Sequence, residues 1–228
     1  MHMSETRRWR FKGPEMEGPI ARWYTRLRGS ASQVELCREQ ARQLVASLPS
    51  GAQVLEVAPG PGFLSIEMAR LGKVHVTGLD ISRTFVEISA ERAREAGVTV
   101  EFRQGDAAHM PFASDSFDLI VCQAAFKNFT QPGTALAEMH RVLRAGGGAV
   151  IQDMSKEATH SDIDSEVRGM DLGRFSAFTT RATLEMLKRR AYSPDQLRQL
   201  AAESPFRTCR ITTSGIGLEV RLEKEKDQ

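Results

Sequence analysis

The sequence predicts an α/β fold on an open, mostly parallel sheet, and three observations predict it. An apolar run, Val54-Leu55-Glu56-Val57, breaks at Ala58-Pro59-Gly60-Pro61-Gly62, and a helical pattern follows at once over 63–70. A second apolar run, 74–80, ends in Asp80 and gives way to a helical pattern over 83–96 that Gly97 closes. Two further runs, 117–122 and 149–153, are separated by an amphipathic stretch at 132–144. Strands that alternate with helices in this way lie parallel, and a strand buried on both faces reads as a near-continuous apolar run.

Taken in order, the chain opens with a basic stretch, residues 1–14, in which Arg7, Arg8, Arg10 and Lys12 surround Trp9 and Phe11. Basic residues interleaved with aromatics suit RNA, but a net charge of +2 supplies no field for it, so a surface tail is expected and no nucleic-acid partner. Over 15–28 Met16, Ile20, Trp23 and Leu27 recur at helical spacing, which predicts an apolar stripe packed on the core. Val34, Cys37, Ala41, Leu44 and Leu48 predict a second helix that stops at Pro49-Ser50-Gly51.

The first strand then runs into the Ala/Pro/Gly turn. Such a turn brings a ligand close to the backbone and aims the free N–H groups of the next helix at it. Glu56 sits inside the strand end, and Asp80 follows 24 positions later, about the offset at which an acid meets a pair of ribose hydroxyls. Ser82 is the expected N-cap of the helix after it. A short strand over 98–103 leads to Gly105-Asp106-Ala107, and the strand Phe117–Cys122 leads to Gln123-Ala124-Ala125-Phe126-Lys127-Asn128. A helix over 132–144 and the turn Gly146-Gly147-Gly148 precede the strand ending in Asp153.

These segments, over roughly 52–155, resemble the class I S-adenosylmethionine-dependent methyltransferases. Glu56 to Gly62 looks like that family's Glu-x-Gly-x-Gly-x-Gly loop, with Ala58 where its first glycine is usual. Alanine there implies a shifted loop path at negative φ. Gly78-Leu79-Asp80-Ile81-Ser82 is similar to the ribose-binding segment, and Gly105-Asp106-Ala107-Ala108 to the adenine-binding one. Lys127-Asn128 is closest to the small-molecule, quinone-biosynthesis branch, which carries a basic residue followed by Asn at this place.

The resemblance implies a Rossmann-like sheet of seven strands whose last strand is antiparallel. It also implies S-adenosyl-L-methionine as cofactor and a small-molecule acceptor methylated on oxygen, carbon or nitrogen. Tyr24, Glu56, Ala58, Gly60, Gly62, Asp80, Ile81, Asp106, Ala107 and Gln123 are the expected cofactor contacts. Lys127, Asn128, Asp153 and His160 are the candidates for acceptor binding or proton transfer. Residues 155–192 read as a helical insert over the cofactor rim or a homodimer surface, and Ser193-Pro194 starts a last helix before a hairpin turning near Ser214-Gly215. The whole chain, 1–228, is expected to be one domain: tail and cap helices over 1–51, cofactor core over 52–154, insert over 155–192, last helix and hairpin over 193–228.

Other chemistries find less support. The five histidines and three cysteines show no metal-ligand spacing, and neither a phosphate-loop motif nor a Gly-x-Ser-x-Gly elbow is present. An NAD-dependent oxidoreductase is disfavoured because the proline-crowded turn leaves little room for a pyrophosphate. A non-catalytic ligand-binding protein of the same fold is the remaining alternative. Three well-separated cysteines, no long apolar run and no secretion signal lead to the expectation of a cytoplasmic protein with no membrane span.

Overall fold

The computed structural model of the protein describes residues 16–170 and 173–226. The basic tail expected over 1–14 lies outside the described residues. Two helices, α1 (Gly18–Arg28) and α2 (Ala31–Val45), precede β1 (Ala52–Val57), α3 (Phe63–Arg70), β2 (Val74–Asp80) and α4 (Arg83–Glu95). There follow β3 (Glu101–Gln104), β4 (Phe117–Gln123), a 3-10 turn (Phe126–Asn128), α5 (Pro132–Val142) and β5 (Leu143–Met154). The chain ends with α6 (His160–Gly169), α7 (Arg174–Lys188), α8 (Pro194–Glu203), β6 (Arg210–Ser214) and β7 (Gly217–Glu223).

The sheet has seven strands in the order β3-β2-β1-β4-β5-β7-β6, parallel from β3 to β5, with β7 antiparallel to both neighbours. Its central strands are buried on both faces. Leu55, Val57, Ile120, Cys122 and Ile151 pack toward α5 and α8, while Val54, Val76, Val121 and Val150 pack toward α2 and α3. The strand order reverses between β1 and β4, so a crevice opens beyond their carboxyl ends.

Three expectations are corrected by the structure. The strand expected over 98–103 begins at Glu101, because residues 98–100 stay outside the ladder that pairs β3 with β2. The helix expected to reach residue 144 ends at Val142. Leu143 already pairs with Phe117, and the register then jumps to Gly148 opposite Leu119, so the glycines bulge within β5 instead of preceding it. Two residues of the stripe expected to bury α1 face outward instead: Ile20 is 45% and Trp23 61% exposed, while Ala21 is buried.

Gly78 explains how the turn after β1 is supported. A Cβ at that position would stand 2.5 Å from Cδ1 of Phe102 and 3.1 Å from the Pro59 ring. The aromatic ring therefore packs flat against β2, beneath the turn, in space that only glycine leaves. Gly78→Ala is expected to cost about 1–3 kcal/mol by overpacking, read as a lowered urea midpoint.

Candidate cofactor and acceptor site

The turn after β1 is fixed from both sides of the crevice. The Ala58 N–H donates to the Leu79 carbonyl at 2.7 Å, and the Gly62 N–H closes the turn on the Pro59 carbonyl at 3.1 Å. Ala58 has φ 57°, so the negative φ expected of an alanine there is not adopted. The residue sits in the left-handed region that glycine takes without strain, and the bond to β2 holds it there. Gly60 and Gly62 share that region, at φ 55° and 77°.

Asp80 ends β2 and reaches back to this turn. One carboxylate oxygen accepts from the Gly60 N–H at 2.9 Å, the other from the Ser82 N–H at 2.9 Å. Burial pushes its pKa up to about 6 even with those two donors. Glu56, at the end of β1, is 3% exposed and accepts a hydrogen bond from the Ser65 hydroxyl. Burial, with the charge of Asp80 adding to it, lifts Glu56 to about 7 against the Ser65 hydrogen bond. Among the described residues neither carboxylate has a salt-bridge partner. Two buried carboxylates without a counter-cation form a site that favours a positively charged ligand.

A cleft beside the turn is lined by Ala58, Ile81, Asp106, Ala107 and Asn128, with Phe129 at its edge. Asp106 accepts from the Ala108 N–H at 2.9 Å, which shapes the loop after β3. A second recess lies at the end of β4, where Gln123 donates to Gln40 at 2.8 Å and Arg28, Gln33 and Cys37 complete the wall. Burial raises the Cys37 thiol, and the charge of Glu56 raises it further. Arg28 and Gln40 were not singled out in the sequence, and Cys37 was read only as part of the apolar stripe of α2. The signal of the first two is weak, because polar residues on an amphipathic helix look like any solvated face.

The four acceptor-side candidates separate. Lys127 is not the free cation that the sequence suggested. Its ammonium lies 2.7 Å from Asp153 and 2.5 Å from the Ala124 carbonyl, and the two side chains are only 5% and 7% exposed. Asp153 also accepts from the backbone N–H groups of Lys127 (2.9 Å) and Met154 (2.8 Å). The pair therefore pins the turn after β4, where Ala124 is held at φ 55°. Asn128 ends that turn and lines the cleft. His160 is exposed at the start of α6 and lies 2.5 Å from Glu185 of α7, where it ties the two helices together. Tyr24 packs edge-on against Phe85 of α4, ring centroids 5.9 Å apart.

Among the described residues no cluster of His, Cys, Asp or Glu could hold a metal ion, and no helix is long and apolar enough to cross a membrane.

A family profile described as "Methyltransferase domain" matches residues 48–195. The chain is 32% identical over 123 residues to "Demethylmenaquinone methyltransferase" of Deinococcus radiodurans, covering 54% of this chain and 50% of that protein. It is 29% identical over 183 residues to "Ubiquinone/menaquinone biosynthesis C-methyltransferase UbiE" of a Marinomonas species, covering 78% and 69% of the two chains. It thus spans about half the length of several curated relatives it matches. The fold is shared with a SAM-dependent methyltransferase from Aquifex aeolicus, at TM-score 0.68 and 20% identity over 89% of this chain and 97% of that one.

Proposed function

Since the chain belongs to the methyltransferase-domain family, we propose that it transfers a methyl group from S-adenosylmethionine to a small organic acceptor at the carboxyl ends of β1, β2 and β4. The observation that carries this reading is the pair of buried, cation-free carboxylates, Glu56 and Asp80, on either side of the Ala58–Gly62 turn. Bound there, the cofactor supplies a methyl group already activated by its sulfonium, so little proton chemistry is asked of the protein.

The residues divide the work by position. Asp80 is assigned to the ribose hydroxyls. Ile81, Asp106 and Ala107 are assigned to the adenine, and Ala58, Gly60 and Gly62 let the turn lie against the nucleoside. Glu56 is assigned the field that favours the positively charged amino-acid end, and Gln123 and Arg28 the polar wall around it. Asn128, carried by the turn that Lys127 and Asp153 pin, is assigned to orienting the acceptor.

A base is not part of this assignment. Lys127 and Asp153 neutralise each other, and His160 is paired with Glu185. The acceptor is then one that loses its own proton readily, and the site's contribution is alignment in a pocket closed to water. The relatives named as C-methyltransferases favour a carbon acceptor. Free thiols at Cys37, Cys122 and Cys209 agree with the reducing cytoplasm as the place of action.

Calorimetric titration with S-adenosylhomocysteine and with NADH tests the reading. Wild type is expected to bind the first and not the second, and Asp80→Ala to weaken it by about tenfold or more, the scale of one lost contact worth ~1.4 kcal/mol. Binding of NADH alone, or of neither, would refute it.

A further inference from the structure

The recess at the end of β4 is a cavity of about 280 Å³, and one face of α2 lines it with Gln33, Leu36, Cys37 and Gln40. Gln123 joins them from β4. Behind Gln123 the neighbouring strands continue the polar row. Gln123 pairs in register with Gln152 of β5, and Gln152 with Glu219 of β7. Val121 and Val150, two residues earlier on their strands, pack toward α2 and α3, so Gln123 and Gln152 stand side by side on that face of the sheet.

Gln152 is held in one orientation. Its Nε2 donates to Glu219 at 2.8 Å, and the other oxygen of Glu219 accepts from Arg221 at 2.7 Å. A carboxylate paired with arginine only accepts, so turning the Gln152 amide over would set two acceptors against each other. The Oε1 of Gln152 therefore faces away from Glu219, and among the described residues it is buried without a hydrogen-bond donor. Leaving a buried carbonyl oxygen unpaired is costly. The Nε2 of Gln123, its neighbour in register, is turned to the Gln40 Oε1 instead, at 2.8 Å. One amide thus stands between two acceptors and serves the one on α2.

We propose that the α2 side of this recess is the subsite for a polar group of the methyl acceptor, and that it selects acceptors carrying an O–H or N–H donor. The ligand's donor takes the Gln40 Oε1. The Gln123 amide that it displaces turns to the Gln152 Oε1, so no polar group is left unpaired. Gln152 is a positioning residue: it acts through Gln123 and makes the exchange favourable. A ligand of the same shape without a donor leaves Gln40 unpaired if Gln123 turns, and gains nothing from the exchange. Leu36 and Cys37 offer the apolar surface for the ligand's ring or chain. The assignment to the methyl acceptor rests on the proposed transfer reaction; the binding does not.

The test uses phenol and anisole, which share a ring and differ in the donor, titrated without cofactor. NMR of the glutamine side-chain amides follows Gln123, whose signal is identified by its loss in Gln123→Leu. Phenol is expected to shift the Gln123 amide and to bind about fivefold or more tighter than anisole. In Gln152→Met the affinity for phenol is expected to fall about threefold or more, and the preference over anisole to fall with it. A smaller ratio in either comparison, or no phenol binding, overturns the proposal.

Should Gln152→Met not fold, Glu219→Gln takes its place. The neutral amide can donate to the Gln152 Oε1 and so fill the position that Gln123 needs. Phenol affinity is then expected to fall about twofold or more, and a smaller loss overturns the proposal. If phenol behaves as expected but S-adenosylhomocysteine does not bind wild type, the recess keeps its donor-bearing ligand and its assignment to a methyl acceptor is overturned.

Discussion

Lys127→Met is expected to lower the stability of the protein by about 3 kcal/mol or more, measured by urea unfolding, because it leaves the Asp153 carboxylate buried without its cation. The two side chains are nearly inaccessible, and their charged atoms are 2.7 Å apart. Asp153 would keep its bonds from the N–H groups of Lys127 and Met154, which places the loss toward the lower end for a broken buried pair. Lys127→Met combined with Asp153→Asn is expected to recover at least 1 kcal/mol of that loss, since the neutral amide carries no charge to strand and its single oxygen still accepts from one of the two backbone donors. If instead the single variant is as stable as wild type while its cofactor binding is unchanged, Lys127 is a solvated residue after all. The same substitution removes the partner of the Ala124 carbonyl, where the backbone is held at φ 55°. A shift of Asn128 against the cleft follows, so acceptor turnover should fall further than S-adenosylhomocysteine affinity.

Glu56 yields the second large effect, through pH. Burial raises its pKa from 4.5 to about 7 in the folded protein. The folded state thus binds this proton more tightly than the unfolded chain does. The stability it contributes is fully present below about pH 4.5 and is lost as pH rises through about 7. The shift is worth on the order of 3 kcal/mol across that window. Asp80 acts in the same direction between 3.8 and about 6. Glu56→Gln is expected to flatten the upper part of the profile and to leave the part due to Asp80, so the difference between the two melting curves over pH 5–8 isolates Glu56. Cofactor binding should respond with the opposite sign. A cationic ligand favours the ionised carboxylate, so affinity for S-adenosylmethionine should rise through pH 7, with a proton released into the buffer and detected calorimetrically. A binding profile flat in pH for wild type, or equally steep for Glu56→Gln, would remove Glu56 from the site.

The α/β reading, the resemblance and the strand ends that carry the proposed site were legible in the residues themselves. A carboxylate closing an apolar run, a turn of small residues and a capped helix after it are local patterns, each imposed by backbone sterics and by burial of a strand on two faces. Asp80 and Asp106 could be picked out because their neighbours in sequence are also their neighbours in space. Gln123 and Asn128 followed from the rule that ligands lie beyond the carboxyl ends of parallel strands.

Other features depended on residues far apart in the chain. Lys127 looked like a free cation until Asp153, 26 positions on, was brought against it by the pairing of β4 with β5. Ala58 was expected at negative φ, and a hydrogen bond to Leu79 in the neighbouring strand holds it in the left-handed region instead. The stripe of α1 follows the helical period, but periodicity reports only that one face is apolar, not which way it faces. In the structure Ala21 is buried while Ile20 and Trp23 are exposed. The sequence by itself determined which segments are strands and helices, because those depend on neighbours along the chain. Which charges are neutralised and which backbone is strained were decided only by the tertiary structure, because each is set by a partner that folding delivers.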